Sequence, residues 1–113
     1  MRPYRARLSE SVRQDIVDVL QYTFEQFGPT QHDAYRNLIE DALDAIEEEP
    51  RQTPSKQRHG LNEDTWIRPI RQPGKHARHI LVYRIAANGL IEVGRLLHDA
   101  SDIERHLPED YLR

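Results

Sequence analysis

The rhythm of apolar and polar positions changes along this chain, and each change marks an element. Residues 4–8, "YRARL", alternate and predict a short first strand. Ser9 then suits an N-cap, and Val12, Ile16, Val19, Leu20, Phe24 and Phe27 follow at helical spacing. Gly28 and Pro29 predict the end of that helix, as a C′ glycine and a helix-breaking proline. Thr30 and Asp33 have the spacing of a capping box, opening a second helix with Tyr35, Leu38, Ile39, Ala42, Leu43 and Ile46 on one stripe. Pro50 stops it, and the short link "FGPT" predicts a helical hairpin. Glu47, Glu48 and Glu49 sit at the unfavourable end of the second helix's dipole, which predicts a solvated, fraying last turn.

The period then switches to two. Residues 51–64 are polar, with Pro54 and Gly60, and read as a loop. "TWIRPI", 65–70, predicts a strand that Pro69 confines to a sheet edge or to the strand's own end. The lone Trp66 there is expected in the core. "RHILVYRIA" and "LIEVGRLLH" are joined by Asn88-Gly89, a strong hairpin signal. Ser101 and Glu104 resemble a capping box for a short terminal helix that Pro108 ends. A strand, two helices, a three-stranded antiparallel meander completing a small sheet and a short C-terminal helix make an α+β fold. With 113 residues, it is expected as a single domain spanning 1–113.

The final hairpin carries a puzzle. With Asn88 and Gly89 as a two-residue turn, Ala86 faces Ile91, Arg84 faces Val93, Val82 faces Arg95 and His79 faces His98. One face then holds Ile80, Val82, Ala86, Ile91, Val93 and Leu97 with Arg84 and Arg95; the other holds Leu81, Tyr83, Ile85, Leu90 and Leu96 with His79, Glu92 and His98. Both are apolar, and one helical hairpin covers only one of them. The expectation is an uncovered apolar face edged with cations, a binding surface. The alternative is that the termini fold over it.

Composition sharpens this picture. The apolar fraction is 37% and the charged fraction 31%, so the core is thin and a partner would add stability. Without cysteine there is neither a disulfide framework nor a thiolate metal site. His76 and His79 form half a zinc motif, but no second pair stands at partner spacing, so no metal and no cofactor are expected. No segment has the apolar length of a signal peptide or membrane span, which predicts a soluble cytoplasmic protein with no membrane partner. The net charge of −3 conceals −6 over residues 1–50, +6 over 51–84 and −3 over 85–113. The basic block contains Arg51, Lys56, Arg58, Arg68, Arg71, Lys75 and Arg78 with His59, His76 and His79, a patch suited to a polyanion or an acidic partner.

"HILVYRIAANGLIEVGRLLHDASDIERHLP" resembles the C-terminal signature of the RelE/ParE toxin superfamily, on its ParE branch. The resemblance rests on His79, on Tyr83-Arg84 ending one strand, on Arg95-Leu96-Leu97-His98 ending the next, and on Glu104-Arg105-His106-Leu107. "YRARLSESVRQDIVDVLQYTFEQFG" and "EEPR" are similar to the same family, while "RQPGKHA" before the His79 strand is longer than the family's common connection. The resemblance implies the toxin of a type II toxin–antitoxin module, neutralised in a hetero-oligomer by a ParD-like antitoxin that itself binds operator DNA. On the ParE branch it implies inhibition of DNA gyrase by trapping its cleaved-DNA complex, an inhibitor needing no catalytic residues. The alternative is ribosome-dependent mRNA cleavage of the RelE type, with Arg84 and Arg95 neutralising phosphate and His98 transferring a proton. Asp99, beside His98, opposes an anionic substrate. A further alternative is a non-toxic co-repressor. For any of these, His79, Tyr83, Arg84, Arg95 and His98 are the residues expected to meet partner or target.

Overall fold

The computed structural model describes residues 2–71, 78–99 and 101–113. Strand β1 (Arg5–Leu8) leads into helix α1 (Glu10–Phe27) and helix α2 (Pro29–Glu48). Strands β2 (Thr65–Ile70), β3 (His79–Ile85) and β4 (Leu90–His98) follow, and short 3-10 turns at Ile103–His106 and Glu109–Tyr111 finish the chain. The sheet order is β1-β4-β3-β2, with β1 parallel to β4 and the other neighbours antiparallel. This is the α+β arrangement the periodicities predict. Pro69 lies on an edge strand, where its missing N–H costs no ladder bond.

Ser9 caps α1 as expected, its hydroxyl accepting from Val12 N–H at 3.0 Å. The start of α2 differs from expectation. Pro29 is its first residue rather than a terminator of α1, because an N1 proline lacks a donor that would be orphaned anyway. Gly28, at φ 86°, is both the end of α1 and the N-cap of α2, and no Thr30 capping box forms. The last turn of α2 is held, not frayed. Tyr4 N–H donates to Glu47 C=O, and the Glu47 carboxylate accepts from Ala6 N–H at 2.8 Å and from Arg2 at 3.0 Å. A helix carboxylate thus satisfies a backbone donor of β1, an edge strand.

The β3–β4 register holds only in part. His79 pairs with His98 and Val82 with Arg95, as predicted, but Tyr83 pairs with Val93, Arg84 with Glu92 and Ile85 with Ile91. The loop is one residue longer than a two-residue turn: Ala86 N–H donates to Leu90 C=O, and Asn88 and Gly89 take left-handed φ values of 60° and 73°. A β-bulge at Gly94 absorbs the extra residue. Glycine fits this bulge closely, since a Cβ there would lie 2.7 Å from the Tyr111 hydroxyl.

The bulge re-sorts the faces. Ile91 and Val93 turn to the helix side with Leu81, Tyr83 and Leu96, where Val12, Ile39, Ala42 and Ile46 bury them and Trp66 packs at the margin. The second face is covered too. Ile67, Ile80, Val82 and Leu97 are buried beneath Leu61, Ile103, Leu107 and Tyr111. The expected open apolar sheet face is therefore absent, because the C-terminal segment straps across it. That segment forms 3-10 turns rather than a capped helix, and Ser101 makes no cap: Asp102 stands at the cap position, without a side-chain bond. Backbone bonds fix the strap at its end, Asn62 N–H to Tyr111 C=O and Arg113 N–H to Gly60 C=O, both 3.0 Å. The Lys75 and His76 part of the basic block, and with it most of the 71–78 insertion, lies outside the described residues.

Candidate functional site

His79 and His98 are the last pair of the β3–β4 ladder, at the end far from the 87–89 loop. Their rings meet edge to face with centroids 5.6 Å apart, and Tyr35 of α2 packs on His79 at the same centroid distance. The Tyr35 hydroxyl is 2.7 Å from His79 Nδ1. Burial pushes the Tyr35 phenol up to about 12, so it stays protonated and shares this bond with Nδ1, the tautomer of the ring setting which of the two donates. Burial, then the neighbouring His98 and then Arg78, lower the His79 pKa below its ordinary value. His98 lies on the exposed rim of the same pair.

The other expected residues stand elsewhere. Tyr83 is fully buried in the helix-side core, and its hydroxyl donates to the Pro50 carbonyl. Arg84 points to the strap side near the loop, with Nη1 3.9 Å from Glu92, whose other oxygen holds Arg7 at 3.2 Å. The Arg84 Nε is buried and has no hydrogen-bond partner among the described residues. Arg95, just beyond the bulge, is clamped by Asp15 of α1 through Nε at 2.8 Å and Nη2 at 3.0 Å, and donates to the His106 carbonyl at 3.0 Å. Its guanidinium is held more firmly protonated by those bonds to Asp15.

The five side chains therefore form no single cluster. His79 and Arg84 are five strand positions apart, about 16 Å, and alternate to opposite faces. Arg95 and His98, three apart on β4, do the same. Only His79 and His98 come together.

Tyr35 and Asp15 are the neighbours that sequence reasoning missed. Tyr35 was readable only as one member of an apolar stripe. Asp15 did carry a signal, for it stands three residues after Val12 and four before Val19, inside the buried stripe of α1. Its second task explains the position. β1 accompanies β4 only as far as Val93, where the chain turns into α1; Ser9 N–H then donates to Val93 C=O, the Ser9 hydroxyl donates to Gly94 C=O at 2.7 Å, and Asp15 accepts from Leu96 N–H at 2.9 Å. The carboxylate continues where the strand stops.

Among the described residues no three or more His, Asp or Glu side chains gather into a metal site, and no helix is long and apolar enough to cross a membrane. The family model described as "ParE toxin of type II toxin-antitoxin system, parDE" matches residues 6–103, from β1 through the sheet to the start of the strap. The chain belongs to the ParE toxin family. It is similar to Toxin ParE1 of Mycobacterium tuberculosis strains CDC 1551 / Oshkosh and ATCC 25618 / H37Rv, 28% identical over 103 residues that cover 91% of this chain and 97% of each relative. Its fold is like that of a solved structure titled "Chromosomal ParDE TA system from P. aeruginosa", with a TM-score of 0.60 at 10% identity, covering 84% of this chain and 95% of that one. The family match thus includes both histidines, Arg84, Arg95 and the Asp15 clamp.

Proposed function

We propose that this member of the ParE family arrests growth by binding DNA gyrase in the cytoplasm and stabilising its cleaved-DNA intermediate, and that a ParD-like antitoxin neutralises it in a hetero-oligomer. The observation that carries this reading is the family match over residues 6–103. The geometry favours an inhibitor over a ribonuclease. Acid–base cleavage of RNA needs its acid, base and phosphate-neutralising groups within reach of one phosphodiester. Here Arg95 is occupied by Asp15 and turned to the face opposite His98, and Arg84 lies beside Glu92 at the far end of the strand.

An antitoxin would find its apolar foothold on α1 rather than on the sheet. Val17, Phe24 and Phe27 are 55%, 52% and 65% exposed. Val17 and Phe24 lie two turns apart on one line of the helix, with Phe27 on its flank. An amphipathic antitoxin segment that orders on binding would use such a row as anchors.

The test uses toxin freed from antitoxin, added to gyrase with supercoiled plasmid and, separately, to ribosomes translating a defined mRNA. Linear plasmid carrying a protein-linked break, with the mRNA intact, is the expected result. Cleaved mRNA with gyrase unaffected would overturn it and make the His79–His98 pair a candidate catalytic centre. Silence in both assays from folded protein would also overturn it, in favour of a co-repressor.

A further inference from the structure

The end of the sheet that holds His79 and His98 also gathers unbalanced positive charge. Ile70 pairs with His79 on the last rung of β2 and β3, so Arg71 and Arg78 stand next to each other just past it. Asp99 N–H donates to Arg78 C=O at 2.8 Å, which brings the end of β4 alongside, and Arg58 reaches Asp99 at 3.3 Å. Arg71 and Arg78 are exposed, and neither side chain has an acidic partner among the described residues. Asp99 is the carboxylate that these bonds place at the site, and Arg58 already offsets it. The acidic end of α2 lies away from this site: Glu47 is twelve residues beyond Tyr35 on the same helix, about 18 Å.

We propose that this end of the sheet docks the phosphodiester backbone of a nucleic acid, held by Arg71 and Arg78 with His79 beside them. The toxin chain would then touch nucleic acid itself, whichever enzyme is its target. Two occupants fit the charge, a nucleic-acid backbone and an acidic peptide. The surroundings favour the first. A peptide that orders on binding needs apolar anchors to offset the lost entropy, whereas a phosphate backbone binds through counterion release alone. Among the described residues the large exposed hydrophobics, Val17, Tyr22, Phe24 and Phe27, are all on α1, and none is on β2, β3 or β4, the strands that end at this site. Arginine forks also match phosphate oxygens in pairs.

The site couples to protons. His79 is faced by Tyr35 from α2, His98 from β4, Ile70 from β2 and Arg78 from its own strand, with Arg58 and Asp99 beyond. These surroundings keep it neutral in the free protein; an arriving phosphate would favour its charged form, so affinity should rise as pH falls.

The experiment is fluorescence anisotropy of a labelled DNA duplex with the full chain, free of antitoxin. Wild type should bind, lose affinity steeply between about 50 and 200 mM salt, and bind more tightly at about pH 6 than at pH 8. An Arg71→Ala/Arg78→Ala variant should weaken binding by at least about tenfold and flatten the log–log salt slope by about 2. A Phe24→Ser/Phe27→Ser variant should leave duplex binding unchanged. Equal affinity and slope in the double-arginine variant, with its thermal midpoint intact, would overturn the proposal. So would a polyglutamate peptide that binds more tightly than the duplex at equal ionic strength, which would assign the patch to an acidic partner. Duplex binding without any effect on gyrase would leave this proposal standing and count only against the target proposed above.

Discussion

The two faces of the sheet are covered by different means. On one, two long helices press a continuous stripe, Val12, Ile39, Ala42 and Ile46, onto Leu81, Tyr83, Ile91, Val93 and Leu96. On the other, a strap of two 3-10 turns lays Ile103, Leu107 and Tyr111 over Ile67, Ile80, Val82 and Leu97. The helical cover depends on meshing apolar side chains. The strap adds polar fastenings to its apolar contacts: Tyr111 hydroxyl to Glu92 C=O at 3.1 Å, Thr65 hydroxyl to Tyr111 C=O at 3.0 Å, and Arg95 to His106 C=O at 3.0 Å. A helix satisfies its own backbone, so it needs only a stripe. A strap of isolated turns must find partners for its carbonyls on the body it covers.

The largest effect should come from the helix side. Leu81→Ala leaves a cavity in a fully buried position and should cost about 2–5 kcal/mol in urea unfolding, with fluorescence and circular dichroism lost together. Tyr111→Ala, on the strap side, should lower the urea midpoint less and instead speed amide exchange over residues 103–112 ahead of β3. If Tyr111→Ala lowers the midpoint as far as Leu81→Ala with no local exchange phase, the two covers form one cooperative unit and the contrast fails.

A smaller loss tests the link between the covers. Asp15 belongs to a helix on one face, yet it holds Arg95, which in turn holds the strap. Asp15→Ala orphans the Leu96 N–H and the half-buried guanidinium and should cost about 2 kcal/mol. Asp15→Asn keeps one acceptor and should cost less, and both should speed exchange near His106. A surface position, unlinked to the strap, would instead show a change near zero in both measurements.

The smallest effect is a pH dependence on the helix side. The His79 pKa is depressed, chiefly by burial, so at low pH the unfolded chain binds the proton more readily than the folded one. This contribution is fully present above the unfolded value near 6.5, and stability falls as pH drops below it. His79→Gln removes the titration and should flatten the urea midpoint between about pH 7.5 and 5.5. An unchanged slope in the variant would assign the acid sensitivity to other groups.

Much of the fold was legible because periodicity reports an element's own needs. The α1 and α2 stripes, the β2 and β4 limits at Thr65–Ile70 and Leu90–His98, and the family resemblance all follow from residues close in sequence. The candidate site was legible only in part. The His79–His98 pairing was predicted, because it lies on the side of the bulge where the register from the turn and the true register coincide. From sequence alone Arg84 and Arg95 are expected at the partner surface, because charge in sequence carries no record of its intramolecular partner. Their neighbours, Glu92 and Asp15, are 8 and 80 residues away.

By itself, then, the sequence determined the two long helices and the four strands, the family, and the basic character of the chain's middle. Tertiary structure alone decided which face each hairpin residue takes, because a single bulge at Gly94 reverses the alternation beyond it. It also decided that the second face is closed, since a strap without periodicity is recognised only by the surface it lands on. And it decided that Arg95 is a fastening while Arg71 and Arg78 stand exposed, because a charge's role depends on the long-range neighbour that folding supplies or withholds.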